Sequence, residues 1–126
     1  MTFKILAKDG RARTGVLKVN GRKAETPFFM PVATKGTVKF MSPFDLKEAG
    51  VQALISNAMI LSFKPGLDLI KKFNGLHNFT KWDGIQFTDS GGFQMSSPSL
   101  FISIDDKAVQ FRNPFTKQRM TLTPEK

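Results

Sequence analysis

The segment Phe87–Met95 reads FTDSGGFQM and holds the residues of this chain that are best suited to chemistry. Asp89 is a carboxylate that can take or give a proton, and Ser90 adds a hydroxyl group beside it. The paired Gly91 and Gly92 let a ligand approach the backbone and leave N–H groups free to bind it. The segment therefore combines an acid–base group with an open backbone.

An aromatic ring and an amide follow these glycines. Phe93 can stack on a planar ring, and the amide of Gln94 offers both a donor and an acceptor to the edge of a base. Together with Asp89 these groups fit the recognition of a heterocycle accompanied by proton transfer. The run Asp89–Gly92 is equally typical of a structural turn, because Asp and Ser bond to neighbouring N–H groups. The spacing alone leaves both interpretations open.

A second polar group, Ser56-Asn57, follows the apolar run VQALIS. Asn57 is either a polar group of the same pocket or a turn residue at the end of a strand. The aromatic rings of His77 and Trp82, in the segment GLHNFTKWDG, are expected to pack in the core.

The letters DSGG also surround the nucleophile of chymotrypsin-like serine proteases. Those enzymes need a partnered histidine and a second acid on a fold of two β-barrels. The one histidine of this chain, His77, lies in a segment that leaves a helix, and the chain has an α/β pattern. We therefore exclude a serine protease.

The elements that position these residues are predicted to alternate between strand and helix over residues 28–95. Apolar runs at Phe28–Val32, Val51–Ser56 and Ile85–Thr88 read as strands. One helix is expected after Ser42-Pro43 and another after Pro65, each ended by a glycine. This βαβαβ order predicts a parallel sheet with functional groups at the carboxyl ends of its strands. Asn57 and Asp89 both follow such strands.

The two flanks of this region have antiparallel patterns. In residues 1–27, a strand at Phe3–Lys8 precedes a hairpin around Asn20-Gly21, a dipeptide that accepts positive φ at both turn positions. Residues 96–126 predict an antiparallel meander with strands at 101–104, 108–112 and 119–122. Thr123-Pro124-Glu125-Lys126 then reads as the start of a helix.

Composition and charge narrow the class of protein. The 126 residues contain no Cys, which excludes disulfides and a thiolate metal site within the chain, and one His, which argues against a self-contained zinc site. The net charge is +9, and residues 1–24 hold seven Lys or Arg against Asp9 alone, which suits a polyanion such as nucleic acid. No secretory signal or membrane span is visible, so a cytoplasmic location is expected.

Four runs in order carry a family resemblance: TPFFMPVATKGTVKFMSP, SNAMILSFKPG, GLHNFTKW and FTDSGGFQM. Together they resemble the N-terminal part of the tRNA-guanine transglycosylases, the queuine and archaeosine tRNA-ribosyltransferases. The resemblance runs from about residue 14 to Lys126. It implies an α/β fold, the N-terminal part of a (β/α)₈ TIM-type barrel with a β-hairpin region before it and an inserted β meander. The implied reaction replaces a guanine of tRNA with a 7-deazaguanine base.

The resemblance also implies roles for the candidate residues. Asp89 matches an aspartate that assists proton transfer on the base, and Ser90 and Gln94, with the two glycines between them, match base-pocket positions. Phe93 matches an aromatic residue that stacks on the base, and Asn57 an asparagine near the ribose. The Thr-Tyr-His that usually follows this asparagine is Ala-Met-Ile in this chain, so contacts made there differ.

The resemblance further implies what this chain does not supply. In the family, a second aspartate attacks the ribose and a three-cysteine, one-histidine site holds zinc, and both would lie beyond Lys126. The chain is therefore expected to be a split subunit or a truncated product, without a metal or cofactor of its own. It would work with a complementary C-terminal chain or as a homo-oligomer. The alternatives are a non-catalytic module that binds tRNA or a partner, and an inactive remnant that folds poorly.

Overall fold

The structure is a computed structural model that describes residues 1–124. The chain divides into two units, Met1–Asp89 and Ser90–Lys126. Within the described residues the fold is mixed α/β, with three small sheets and no closed barrel. No helix among these residues is long and apolar enough to cross a membrane.

The first unit begins with a three-stranded antiparallel sheet. Its strands are β1 (Thr2–Asp9), β2 (Ala12–Val19) and β3 (Arg22–Thr26), in that order. The predicted hairpin at Asn20-Gly21 is confirmed, and both of these residues have positive φ, 47° and 80°. The turn residues thus supply the twist that a two-residue connection needs.

A parallel pair of strands and several short helices complete the first unit. The elements are α1 (Pro43–Glu48), β4 (Ala53–Asn57), α2 (Ala58–Leu61), α3 (Leu67–Lys72), α4 (Leu76–Thr80) and β5 (Ile85–Asp89). A kinked segment, Ser62–Gly66, joins α2 to α3, and Lys64 within it has extended φ and ψ. The start of α1 follows its predicted cap, because the N–H of Asp45 donates to Ser42 Oγ and the N–H of Ser42 donates to Asp45 Oδ2. Strands β4 and β5 pair in parallel, as predicted.

The strand predicted at Phe28–Val32 is wrong. Only one isolated bridge forms there, between Val32 and Ile55, and Phe29 and Val32 are 79% and 64% exposed. The bridge has both of its hydrogen bonds, since the N–H of Ile55 donates to the carbonyl of Pro31 and the N–H of Ala33 donates to the carbonyl of Ile55. Pro31 has no N–H with which to continue the ladder toward the start of β4. The parallel sheet therefore has two strands where the sequence predicted three.

Strand β4 separates the two hydrophobic clusters of this unit. Leu54 packs with Leu46 of α1 and with Trp82, together with Ala33. Ala53, on the opposite face of the strand, packs with Ile85 of β5 and Ala24 of β3, which joins the N-terminal sheet to the parallel pair. Because side chains alternate along β4, α1 packs on one face of this strand and the N-terminal sheet packs on the other.

The second unit contains a short helix and the predicted meander. Helix α5 spans Gly92–Met95, and strands β6 (Phe101–Ile104), β7 (Val109–Arg112) and β8 (Arg119–Leu122) form an antiparallel sheet in sequence order. The helix start predicted at Thr123–Lys126 depends on residues 125 and 126, which lie outside the described residues.

Candidate functional site

The carboxyl edge of the parallel pair brings two of the predicted residues together. Asn57 is the last residue of β4 and Asp89 the last residue of β5, and they lie opposite each other in the register. Neighbouring parallel strands are about 4.8 Å apart, so the two side chains leave the sheet at adjacent points. This edge is the usual place for functional groups in parallel sheets.

Asp89 is exposed and free of local contacts. Within Met1–Asp89, no N–H or O–H group lies within hydrogen-bonding distance of its carboxylate. A carboxylate in this setting is accessible to a ligand. The turn interpretation requires this side chain to accept from the N–H groups that follow it, and those groups belong to the second unit.

Asn57 is buried, with 4% of its surface exposed, and caps the helix that follows it. The backbone N–H of Ile60 donates to Asn57 Oδ1 at 2.8 Å. The strand-end interpretation therefore accounts for the oxygen of this side chain. Within the first unit its amide nitrogen donates no hydrogen bond, so this group remains able to bind a ligand.

The rest of the motif begins the second unit. Ser90 Oγ accepts from the backbone N–H of Gly92 at 3.2 Å, a local turn bond of the kind that the alternative interpretation predicts. Gly91 has φ of 75°, a conformation that favours glycine, and precedes α5. Phe93 and Gln94, both on this helix, are exposed, and the Phe93 ring is 88% accessible. An exposed ring of this size can stack on a ligand.

One buried polar side chain, Gln86, was missed as a candidate in the sequence, whereas Ser56 was noted there beside Asn57. Within the described residues, Ser56 Oγ and both amide atoms of Gln86 are buried and have no hydrogen-bond partner. Such groups are uncommon in native interiors and point to a partner that binds there. Gln86 is a polar residue between two apolar ones in the run IQFT, and this was the only feature of the sequence that could have indicated it.

Trp82 has the core position predicted for it, whereas His77 is only partly buried and lies in neither hydrophobic cluster. Trp82 is 3% exposed and its Nε1 donates to the carbonyl of Ile85 at 3.2 Å, which fixes the start of β5. His77 Nε2 lies 3.1 Å from the carbonyl of Gly84. Both rings support the strand that ends in Asp89.

The carboxylates with lowered pKa values, Asp45 and Asp83, lie around α1. Hydrogen bonds from the hydroxyl and backbone of Ser42 lower the pKa of Asp45, and a hydrogen bond from Lys47 at 2.6 Å lowers the pKa of Asp83. These carboxylates stabilise the fold above their ordinary pKa of 3.8, and that contribution is lost as the pH falls through their lowered values. Among residues 1–124, no group of three or more His, Cys, Asp or Glu could hold a metal ion.

Along the chain, the carboxylate at the end of β5 is followed by a glycine-rich turn and an exposed aromatic ring. The sequence model of the family described as queuine tRNA-ribosyltransferase matches residues 8–126. The chain belongs to this family.

Individual relatives agree with the family match. The queuine tRNA-ribosyltransferase of Herminiimonas arsenicoxydans is 46% identical over 125 residues, which is 99% of this chain and 33% of that protein. Those of Buchnera aphidicola and Thermotoga maritima are 45% and 46% identical, again over 99% of this chain and 34% of each relative. The chain therefore spans about a third of the length of the curated relatives it matches, at their N-terminal end.

Proposed function

We propose that this chain forms the N-terminal third of a tRNA base-exchange enzyme, which replaces a guanine of tRNA with a 7-deazaguanine base. The observation that carries the proposal is the position of Asp89, at the carboxyl end of β5 and opposite Asn57. The family to which the chain belongs supports tRNA as the substrate. A tRNA substrate is also consistent with the cytoplasmic location predicted from the sequence.

The fold proposed for the complete enzyme is a (β/α)₈ TIM-type barrel. The parallel pair of β4 and β5 would supply its first strands, with residues 1–27 as a β-hairpin region before them. Residues 28–95 would hold the first strand–helix units, and residues 96–126 the inserted meander. The remaining strands would come from a complementary C-terminal chain, or from further copies in a homo-oligomer.

The proposed reaction needs two carboxylates with different tasks. A nucleophilic carboxylate bonds to C1′ of the ribose, the bond from C1′ to the guanine nitrogen breaks, and its electron pair leaves with the base. The incoming base then bonds to C1′, loses a proton and releases the nucleophile. In this scheme Asp89 transfers the protons of the two bases. The nucleophile would come from the complementary segment, which would also hold the structural zinc.

The other motif residues would hold the base while Asp89 acts. Phe93 would stack on its ring, and Ser90 and Gln94 would bind its polar edge. The backbone N–H groups around Gly91 and Gly92 would stabilise charge on the departing base. The amide nitrogen of Asn57 would donate to the ribose beside the opposite strand end. The guanine must first leave its stack in the tRNA to reach these groups.

Complementation tests this proposal directly. The chain is co-expressed with the part of the Thermotoga maritima relative that follows its matched third, and incorporation of labelled guanine into tRNA is measured. We expect exchange with the wild-type chain and a loss of about 100-fold or more with Asp89→Asn, since general acid–base groups contribute about 10²–10⁴ in rate. Asp106→Asn, an exposed turn position in the second unit, is the matched control and should retain full exchange.

A non-catalytic binding module is the second candidate, favoured by the basic residues 1–24, which hold seven Lys or Arg against Asp9 alone. It predicts a complex with tRNA or with the complementary segment but no exchange, and no effect of Asp89→Asn on binding. Full exchange by the Asp89→Asn complex would contradict the catalytic proposal, because another group would then be moving the protons.

A further inference from the structure

The N-terminal sheet presents one apolar face and one basic face. Leu17, Val19 and Ala24 belong to the hydrophobic cluster shared with β5, so the face that holds them is turned inward. Side chains alternate along a strand, and Lys18 and Lys23 therefore lie on the opposite, outward face. Both lysines are exposed. Lys4 has the same orientation in β1, because it pairs across from Val16, two residues before Lys18.

Lys18 and Lys23 occupy directly opposed positions in the antiparallel register of β2 and β3. Like charges placed directly opposite each other destabilise a sheet. Within the described residues, neither lysine forms a salt bridge, although Glu25 lies exposed on the same face, two residues from Lys23. A bound anion would relieve the repulsion between the two lysines.

A groove adjoins this lysine pair at the Asn20-Gly21 turn. It has a volume of about 490 Å³ and is lined by Met1, Thr2, Lys18, Val19, Asn20, Gly21, Arg22 and Lys23. Its lining holds three basic side chains and no acidic one. The groove is within the size range of ligand sites, and residues 1–24 have a formal charge of +6, seven basic groups against Asp9.

We propose that this groove binds phosphodiester groups of RNA, with Lys18 and Lys23 supplying the charge. The proposal rests on the proposed function in one respect, which is the choice of RNA among polyanions. Lysine is a compact point charge on a flexible stem, which suits contacts to the backbone rather than to base edges. No aromatic ring lines the groove, although the chain has 13 Phe, so stacking of bases there is not expected.

The groove is a second site, separate from the carboxyl edge of the parallel pair. Arg22 is already fixed in place, since its Nε donates to the carbonyl of Asp83 at 2.9 Å. It frames the groove, while the side chains of Lys18 and Lys23 make no hydrogen bond within the described residues. The groove would thus add affinity for RNA that does not depend on the nucleotide sequence, and it would take no part in base exchange.

Salt-dependent binding tests the proposal on the full 126-residue chain. Binding of a labelled tRNA transcript is measured by fluorescence anisotropy at several NaCl concentrations, for the wild type and for the double variant Lys18→Gln/Lys23→Gln. We expect a loss of about tenfold in affinity and a salt slope that is shallower by about 1.4–1.8, which corresponds to two lost phosphate contacts. The control Lys71→Gln/Lys72→Gln removes the same charge from α3 and should keep the wild-type slope.

The outcomes separate this proposal from its competitors. Equal losses in the two double variants, or no binding of tRNA by the wild-type chain at low salt, would overturn it. Displacement of the tRNA by millimolar GMP would indicate a small-molecule site. Preferential binding of polyglutamate would indicate an acidic protein partner. Either result would also overturn the proposal. If the chain binds tRNA through the groove but supports no base exchange when it is combined with the complementary segment, the groove proposal stands and the proposed function is refuted.

Discussion

At the scale of single residues, the side chains at the carboxyl ends of β4 and β5 differ in burial and in how many of their hydrogen-bonding groups the fold uses. Asn57 is buried and its oxygen is used by the N–H of Ile60, whereas Asp89 is exposed and accepts nothing within the first unit. The amide of Asn57 has two functional ends, an acceptor and a donor. Capping uses only the acceptor, so a structural role and a ligand contact are compatible in this residue.

Substitution of Asn57 separates these two roles. Asn57→Ala should destabilise the chain by about 1–2 kcal/mol, because it removes the cap of α2 and leaves the N–H of Ile60 without its acceptor. Asn57→Ser keeps an oxygen at the cap and should recover most of that loss. The free energy of unfolding, measured in urea, checks both values.

Exchange activity in the complemented complex gives the second readout for Asn57. If the amide nitrogen donates to the substrate, Asn57→Ser should restore stability but not activity, because serine supplies the cap without the NH₂ group. Full activity of Asn57→Ser would limit the residue to capping. Stability of Asn57→Ala equal to the wild type would contradict the cap itself.

At the scale of elements, the sequence predicted best what is decided locally. The hairpin at Asn20-Gly21 and the start of α1 at Ser42 each depend on turn or cap residues within a few positions, and both are confirmed. The strand at Phe28–Val32 depends on neighbours far away in the chain, and its apolar residues cannot indicate whether those neighbours are present. Helix α2 was missed because Asn57, its cap, was interpreted only as a pocket or turn residue.

The candidate site shows the same limit. DSGGFQ could be recognised as a motif, and the sequence could place Asp89 after a strand. The opposition of Asn57 and Asp89 required the register of two strands that lie about thirty residues apart. Whether a side chain is exposed or enclosed depends on all the elements around it, so the exposure of Asp89 could not be predicted.

Packing around Gly84, which precedes β5, leaves no space for a side chain. A Cβ atom at this position would lie 2.6 Å from the Trp82 ring and 2.7 Å from the carbonyl oxygen of Gln52. Gly84→Ala should therefore destabilise the chain by about 1–3 kcal/mol, the usual cost of overpacking. Thermal unfolding followed by circular dichroism checks the loss.

Gly50→Ala is the matched control for the packing at Gly84. Nothing lies within 4 Å of a Cβ atom at Gly50, although its φ is 72°. This variant should lose only about 1 kcal/mol through backbone strain. A loss at Gly84 no larger than the loss at Gly50 would show that Trp82 and Gln52 move aside easily, and that β5 is held less tightly than the structure indicates.

At the scale of the whole molecule, the main feature is the amount of apolar surface that the described residues leave uncovered. Phe29, Phe40 and Phe44 of the first unit are 79%, 103% and 73% exposed. Parallel sheets normally have both faces and both edges covered, and β5 has β4 as its only strand neighbour in the described part of the chain. The complementary segment proposed above would cover this surface and this edge.

Hydrogen exchange at β5 tests that proposal at single amides. The N–H of Ile85 donates to the carbonyl of Gln52 on the β4 side, at 3.0 Å. Successive N–H groups of a strand point to opposite sides, so those of Gln86 and Thr88 face the open edge. In the isolated chain these two amides should exchange roughly tenfold faster, or more, than those of Ile85 and Phe87.

Addition of the complementary segment from the Thermotoga maritima relative should slow exchange at Gln86 and Thr88 and leave Ile85 and Phe87 nearly unchanged. The reason is that a new strand on the open edge would accept hydrogen bonds from the amides of Gln86 and Thr88. The amides of Ile85 and Phe87 already donate on the β4 side. Two-dimensional NMR after transfer to heavy water resolves the four amides individually. Continued fast exchange at Gln86 and Thr88 in a complex that binds tightly would show that the segment docks elsewhere, and β5 would then not be an inner strand of a barrel.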